Sequence, residues 1–194
     1  IYDIVNDFEK IELDTSVKKP KVGIVGEVLI KYHPFGNNYA AEMLEKEGAE
    51  VILPDFMGFV KFMATHKITF NELLNVSKTA AKISKIAIKL IDVLEKDVVA
   101  ALEKSSKNYL MPCDIWHLEK QVKDVLSIGN QTGAGWFLTA EMIEYIENDI
   151  PNIVCVQPFA CLPNHVVGKG VIKTIREKFP DVNISPVDYD PGAS

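Results

Sequence analysis

The sequence predicts an α/β fold with a doubly wound parallel sheet, and three observations support this prediction. Short apolar runs of the kind buried on both faces of a parallel sheet recur along the chain. Amphipathic stretches of helical length separate most of these runs, and right-handed crossovers leave few ways to arrange them. We therefore expect a flavodoxin-like strand order of 2-1-3-4-5. The five strand candidates are residues 21–26, 50–54, 124–129, 152–158 and 183–188.

Three helices are predicted between these strands. Residues 38–48 place apolar side chains on one helical face and end at Gly48, a residue that readily adopts the left-handed helix stop. Residues 136–148 and 165–179 separate the last strand candidates and have helical periodicity. The chain therefore alternates strands and helices, as the doubly wound fold requires.

The connection between the second and third predicted strands is long, about seventy residues, and a compact domain does not carry that length without structure. Its apolar residues recur at steps of three and four, which predicts a long helix over residues 71–104 with room for one break. Four apolar residues are expected to face the domain: Leu73, Ile83, Leu90 and Leu94. Finding them exposed would instead indicate a missing partner surface.

A row of lysines lies on the opposite side of this predicted helix. We expect this row to face solvent. Alternatively, the lysines could bind an acidic partner or the phosphates of a ligand. The row consists of Lys78, Lys82, Lys85 and Lys89.

Composition narrows the classes of protein to consider. A chain of 194 residues that is 47% hydrophobic can bury one substantial core, so we expect a single domain, 1–194, with a helical insertion at 56–122. A net charge of −6 repels phosphate backbones, so nucleic acid is not an expected partner. There is neither an apolar run of about 20 residues nor a leader pattern, so we expect no membrane association and a cytoplasmic location. Three widely spaced cysteines suit a reducing compartment.

A glycine-rich segment joins the third predicted strand to a helix, where free backbone N–H groups can hold a phosphate or a carboxylate. The segment lacks the Lys-Ser/Thr pair of a P-loop, and its glycines do not have the dinucleotide-binding spacing. A tight structural turn is therefore an equal alternative to an anion site. Its candidate ligand-binding residues are Gly129, Asn130, Gln131, Gly133 and Gly135.

Cys161 follows the fourth predicted strand, and Asn164 is predicted to cap a helix that begins near His165. A thiolate at a helix N-terminus is stabilised by the helix dipole, which favours reactivity or metal binding. The alternative is an unreactive, partly buried residue. Gly168 and Gly170 lie inside the predicted helix and suggest the close approach of a backbone or a ligand.

Other polar residues lie at the same predicted edge of the sheet. Glu27 directly follows the first strand and is a candidate general base, ligand contact or capping carboxylate. His33 and His165 lie in site-side loops, as ligand contacts or as caps. Because loops after parallel strands converge, we expect Cys161 to share a crevice with Glu27, His33 and the glycine-rich turn. The residues expected to be structural or without a role are His66, His117, Cys113 and Cys155.

Three stretches together resemble a known family. They are KVGIVGE with KYHPF in residues 21–35, GNQ with Gly135-Trp136, and QPFACLPNH in residues 157–165. They are similar to the dehydratase-like region near the C-terminus of 2-hydroxyacyl-CoA dehydratase activator-related proteins. The stretch DYDPGAS, residues 188–194, fits the same pattern.

The resemblance implies relatives among the subunits of 2-hydroxyacyl-CoA dehydratases. These are oxygen-sensitive enzymes of anaerobic metabolism that use a four-iron-four-sulfur cluster held by cysteines and receive electrons from an ATP-driven donor. Cys161 matches the cysteine of the family stretch, and it is the one position that the resemblance implies as a cluster ligand. The other ligands would come from a preceding domain of a longer protein. The fragment itself would then hold no cluster and have no activity.

The implied partners are the other domains of the same polypeptide and an acyl-CoA dehydratase. Two alternatives stay open. One is a flavodoxin-like module that binds a phosphate-bearing ligand, CoA or a nucleotide, at residues 129–135. The other is an interdomain docking scaffold that acts through the insertion helix.

Overall fold

The structure is a computed structural model that describes residues 1–14, 16–107, 109–190 and 192. Its contacts divide the chain into two compact units. Unit 1 comprises Ile1–Lys18 and Asp55–Ile115, and unit 2 comprises Lys19–Pro54 and Trp116–Ser194. Most of the predicted insertion is thus grouped with the N-terminal segment. In the family-like stretch 188–194, positions 191, 193 and 194 lie outside the described residues.

Unit 2 is an α/β unit, as predicted, and its sheet is entirely parallel. In the described part of the chain the sheet has four strands in the order β2-β1-β3-β4. This arrangement is consistent with a flavodoxin-like fold. The strands are β1 (Lys21–Gly26), β2 (Glu50–Ile52), β3 (Asn152–Pro158) and β4 (Asn183–Tyr189).

The prediction of a fifth strand at residues 124–129 is wrong. These residues form turns and a bend, and the N–H groups of Val125 and Leu126 both donate to the carbonyl of Val122. The segment has the apolar content of a buried strand, but its backbone folds back onto the preceding helix instead of pairing with the sheet. Without this segment, the predicted order of the remaining four strands is the order observed.

The helices of unit 2 lie on both faces of the sheet. On one face, Ala40 of α3 packs with Ile24 and Val156 in a buried cluster. On the other face, the ring of Tyr145 lies against Gly23, where a Cβ atom would be 2.2 Å from the ring. The helices are α2 (Val28–Tyr32), α3 (Ala40–Lys46), α6 (Ile115–Val122, whose first residue belongs to unit 1), α7 (Gly135–Glu147), α8 (Leu162–Val167) and α9 (Ile172–Lys178).

The predicted helices at 38–48 and 136–148 are confirmed within a few residues, as α3 and α7. The predicted helix at 165–179 is interrupted, because a 3-10 turn at Lys169–Val171 separates α8 from α9. Asn164 is not the N-cap: α8 begins at Leu162 with Cys161 in the capping position. Pro163, in the first turn, favours this earlier start because its missing N–H is not needed there.

Unit 1 contains three helices in the residues that the structure describes, and two of them form a hairpin. These are α1 (Tyr2–Glu9), α4 (Phe56–Leu74) and α5 (Lys78–Glu103). The predicted helix over 71–104 is therefore confirmed as mainly helical, with one break. Asn75 makes the break in the left-handed conformation, at a φ of 51°, and the Ser77 hydroxyl accepts from the N–H of Ala80 to start α5.

The predicted orientation of the hairpin's apolar residues is wrong. Leu73, Ile83, Leu90 and Leu94 are exposed, whereas the buried positions of α5 are Ala81, Ile88 and Ala101. Helix α4 packs against α5, and its Lys61 pairs with Asp92 and Glu95, whereas the four predicted core residues are left exposed. The lysine row is exposed as predicted. No helix in the described ranges is both long enough and apolar enough to cross a bilayer.

Candidate functional site

The carboxyl ends of β3 and β4 hold a polar cluster. Gln157 and Asp188 are register partners, and Nε2 of Gln157 donates to Oδ1 of Asp188 over 2.6 Å. Nζ of Lys169 forms an ion pair with the other carboxylate oxygen of Asp188. The hydrogen bonds from Lys169 and then Gln157 hold the pKa of Asp188 below its usual value, and the charge of His165 contributes. The cluster therefore keeps a carboxylate ionised at the edge of the sheet.

Cys161 lies in the loop that follows β3. Ala160 adopts a left-handed conformation, at a φ of 60°, and the N–H of Cys161 donates to the carbonyl of Pro158. The Cys161 thiol donates to Oδ1 of Asn164 over 3.2 Å. Cys161 is partly exposed, whereas Asn164 is buried. The loop thus holds an accessible thiol against a buried amide.

The glycine-rich turn lies directly against this loop. Gly133 has a φ of +64°, and a Cβ atom there would be only 3.0 Å from Cβ of Pro163. The turn therefore lies against Pro163, the residue two positions after Cys161. Two N–H groups at its helical end are used within the turn, since Gly135 donates to Thr132 and Trp136 donates to Asn130. These two donors are not available to a phosphate.

The polar side chains of the turn also bind its own backbone. Asn130 donates to the carbonyl of Ser127, and Gln131 donates to the carbonyl of Ile128 over 2.7 Å. The N–H of Gly129 donates to the Ser127 hydroxyl. Of the two interpretations left open by the sequence, these contacts favour a tight structural turn.

Four buried polar atoms near this edge have no hydrogen-bond partner among the described residues. A buried donor or acceptor without a partner costs about 1–3 kcal/mol, so a water molecule or a ligand is expected to satisfy such atoms. Two are amide oxygens, one is an amide nitrogen and one is an imidazole nitrogen. The atoms are Oε1 of Gln131, Oε1 of Gln157, Nδ2 of Asn164 and Nε2 of His165.

Glu27 and His33 both cap local helices. Oε2 of Glu27 accepts from the N–H of Ile30 over 2.9 Å, at the start of α2. Nδ1 of His33 accepts from the N–H of Gly36, at the start of a 3-10 turn. The N–H of Glu27 also donates to the carbonyl of Val156, which places Glu27 beside the end of β3. That Glu27 and His33 share a crevice with Cys161 stays a prediction.

Sequence reasoning missed a buried ion pair in unit 2. Nζ of Lys31 lies 2.7 Å from Oε1 of Glu141, and each side chain is only 1% exposed. The signal was available, because Glu141 lies within the apolar run of α7 and Lys31 within that of α2. A charged residue that interrupts an apolar helix is expected to be paired when it is buried.

Cys155 is fully buried in β3, as predicted for a core residue. Burial raises the pKa of its thiol to about 12, and the neighbouring Glu141 carboxylate adds to the shift. A thiol that stays protonated is a poor metal ligand. Cys155 and Cys161 are the cysteines of unit 2, so Cys161 is its one accessible thiol.

The residues present do not complete a cluster site. Within residues 1–14, 16–107, 109–190 and 192, no three His, Cys, Asp or Glu side chains are placed to hold a metal ion together. Ligand sets for iron–sulfur clusters normally need four donors. Cys161 could therefore supply one ligand only.

Unit 1 has its own buried polar cluster around Lys61. Nζ of Lys61 lies 2.6 Å from Glu95 and 3.0 Å from Asp92, and it donates to the carbonyl of Cys113. Burial lowers the pKa of Lys61, but its two acidic partners outweigh this effect and the pKa is raised. These contacts tie α4 to α5 and to the chain at Cys113, so the cluster is structural.

His66 of α4 packs edge-on against Phe62, with ring centroids 4.7 Å apart, and burial lowers its pKa. This environment agrees with the structural role predicted for His66. His117, in α6, is exposed.

The arrangement in unit 2 offers an accessible thiol, an ionised carboxylate and several buried polar atoms around one edge of a parallel sheet. In comparisons with known proteins, the chain matches no family model, no curated protein and no solved structure.

Proposed function

We propose that the chain is a non-autonomous domain of a 2-hydroxyacyl-CoA dehydratase activator-related protein. In that role it contributes to ATP-driven, iron–sulfur electron transfer to an acyl-CoA dehydratase. The observation that carries the proposal is the position of Cys161, an accessible thiol in the loop at the carboxyl end of β3. In open α/β sheets this edge is where ligands and cofactors bind.

The three stretches that resemble the family also lie together in unit 2. The first reaches the third through the hydrogen bond from the N–H of Glu27 to the carbonyl of Val156, directly before Gln157. The second reaches the third through Gly133, which lies against Pro163. The three stretches are distant in sequence but are linked at one edge of the sheet, and this closeness supports the proposal.

In this proposal Cys161 is one thiolate ligand, and other domains of the same polypeptide supply the remaining ligands. The bound cluster would supply one-electron transfer. The role of this chain is to hold the Cys161 sulfur at the edge of the sheet, where the Asn164 amide fixes its direction. Cys155 has no part in it, because its thiol is buried and protonated.

The test uses the natural full-length gene product, purified without oxygen. We expect Cys161→Ser to lower the iron per polypeptide and the thiolate-to-iron charge-transfer absorption, because one cluster ligand is lost. Cys155→Ala is the matched control and should retain both. Unchanged iron in Cys161→Ser would contradict the proposal.

The isolated 194-residue chain provides a second prediction. Reconstituted anaerobically with iron and sulfide, it should bind little or no stable cluster and should not dehydrate a 2-hydroxyacyl-CoA, because one accessible thiol cannot hold a cluster. Iron content and visible absorption are the measurements. Stoichiometric iron that disappears in Cys161→Ser would show that the domain is autonomous.

A second candidate function is favoured by the unpartnered polar atoms: a module that binds a phosphate-bearing ligand, CoA or a nucleotide. Neutral donors and acceptors such as Gln157 and Asn164 suit the amide or hydroxyl groups of such a ligand more than its phosphates. Gly133 would form one wall of the site, next to Pro163.

Calorimetry with CoA, ATP, pantetheine and inorganic phosphate tests this second candidate. Gly133→Val should weaken binding about tenfold, or about 1.4 kcal/mol, because the new side chain meets Pro163. Gly48→Val is the control, since Gly48 also has a positive φ but has nothing within 4 Å of its Cβ position. Absence of heat with all four probes would exclude this function.

A further inference from the structure

Unit 1 exposes a continuous apolar stripe along α5. Its five side chains recur at helical steps and are 58–70% exposed. Exposed apolar surface of this extent and regularity marks an interaction site. The members of this α5 stripe are Ile83, Ile86, Leu90, Val93 and Leu94.

Charge is distributed unevenly along the same helix. The half before Leu90 carries only basic charged residues, and the half after it is mainly acidic, with Lys96 as the exception. An identical helix in antiparallel orientation would bring the basic half of each copy to the acidic half of the other. The basic residues are Lys78, Lys82, Lys85 and Lys89. Of the acidic residues, Asp92 and Glu95 pair with Lys61 of α4, so Asp97 and Glu103 are the ones that lie outside the Lys61 cluster.

We propose that the α5 stripe binds the α5 stripe of a second copy of this chain, antiparallel, around a two-fold axis at Leu90. A two-fold interface is self-complementary, so Leu90 meets Leu90 of the second copy and Ile86 meets Leu94. The same register brings Lys82 close to Asp97, and both residues are exposed. A parallel arrangement would instead place the two lysine rows side by side.

Helix α1 extends this complementarity. This helix carries the acidic residues Asp3 and Asp7 and lies at the C-terminal end of α5. Its apolar residues Ile4 and Phe8 are exposed. There Ile4 and Phe8 line an apolar cavity of about 360 Å³ together with Val98 and Leu102 of α5.

In the antiparallel register, residues 98–102 lie opposite residues 78–82 of the second copy. The acidic α1 is therefore brought towards Lys78 and Lys82, the basic end of the partner helix. Opposite charges at both ends of the interface favour this register over shifted ones.

Other molecules that could bind the α5 stripe match its charge pattern less well. An anionic lipid surface would attract the lysine half of α5 and repel the half that contains Asp97 and Glu103. An acidic helix of another protein would complement only the lysine half. A second copy in antiparallel orientation places acidic residues opposite the lysine half and lysines opposite the acidic half.

Sedimentation analysis of the 194-residue chain, over about 1 to 100 μM, tests the proposal directly. We expect a dimer whose dissociation constant lies in that range, and a monomer for Leu90→Glu, which places two carboxylates on the two-fold axis. Met43→Glu is the control, because Met43 is an equally exposed apolar residue of unit 2. A wild-type chain that stays monomeric at the highest concentration would overturn the proposal.

A charge exchange tests the register. Lys82→Glu and Asp97→Lys should each weaken the dimer about tenfold, and the double variant should recover most of the affinity. Dimer affinity that falls further in the double variant would overturn the register. Circular dichroism of each variant confirms that the helices remain folded.

Disulfide trapping tests whether the two-fold axis lies at Leu90. In a Cys161→Ser background, Leu90→Cys should oxidise rapidly to a covalent dimer, because the residue meets its own copy. Ile83→Cys should cross-link at least tenfold more slowly, since it would face Asp97. Equal rates, or a monomer that uses the stripe to bind anionic vesicles, would count against self-association.

Discussion

At the scale of single residues, the buried ion pair of unit 2 allows a direct argument about the free energy of folding. Lys31 and Glu141 lie 2.7 Å apart with almost no exposed surface. A buried ion pair gains little over a well-packed apolar pair, but removing one partner leaves an uncompensated charge. The pair links α2 to α7, and its net contribution to stability is expected to be small compared with the cost of removing one partner.

This pair gives a stability prediction. Lys31→Met should lower the free energy of unfolding by about 3–5 kcal/mol, because Glu141 loses its cationic partner in a buried site. The double variant Lys31→Met with Glu141→Leu should recover most of that loss. Urea unfolding followed by circular dichroism measures both values. A double variant no more stable than Lys31→Met alone would mean that the site needs its charges for packing.

Among the candidate site residues, position was more predictable than role. Gly133 and Cys161 were expected near each other, and Gly133 lies against Pro163, two residues after Cys161 in the chain. Glu27 was left with three possible roles, and the structure shows the capping one. The Gln157–Asp188–Lys169 cluster was not predicted, because each partner comes from a different part of the chain.

At the scale of elements, the start of α4 depends on Asp55. One carboxylate oxygen accepts from the N–H of Gly58 over 2.6 Å, and the other accepts from the N–H of Cys113 over 2.9 Å. The side chain thus caps the helix and ties it to the end of unit 1. Ser77 makes a simpler cap, with a single hydrogen bond from Ala80 over 3.2 Å.

The two caps can be compared directly. Asp55→Ala should cost about 2 kcal/mol or more, because it loses a cap and a second hydrogen bond from Cys113. Ser77→Ala should cost about 1 kcal/mol, the usual value for one lost cap. Thermal unfolding followed at the helical circular dichroism band provides both values. Equal losses would show that the Cys113 contact adds nothing.

The elements also show where local pattern misleads. Residues 124–129 have the apolar content of a strand but fold back onto Val122. In α5, apolar residues recur at helical spacing, but Ala81 and Ile88 are buried whereas Ile83 and Leu90 are exposed. Periodicity identifies a helix, but it does not identify the neighbour that covers it.

At the scale of the whole molecule, Cys155 links stability to pH. Its thiol has a pKa of about 12 in the folded chain, against about 8.5 for an unfolded cysteine. Because the folded pKa is the higher one, the folded state holds the proton more tightly. This contribution is fully present below about pH 8.5 and is lost as the pH rises towards 12.

We therefore expect stability to fall more steeply with rising pH in the wild type than in Cys155→Ala. The free energy of unfolding, measured by urea titration at several values between about pH 8 and 11, gives the two slopes. The comparison uses slopes, because Cys155→Ala also leaves a small cavity that lowers stability at every pH. Identical slopes for Cys155→Ala and the wild type would contradict the burial of this thiol.

The sequence by itself determined the α/β class, the parallel strands at Lys21–Gly26 and Asn152–Pro158, and the long helical segment in unit 1. These follow from hydrophobic period and turn residues, which are local properties of the chain. The tertiary structure decided that residues 124–129 stay out of the sheet, that the α5 stripe is exposed, and which polar side chains meet at the edge. Each of these depends on the free energy of contacts between residues far apart in sequence, which a local pattern does not contain.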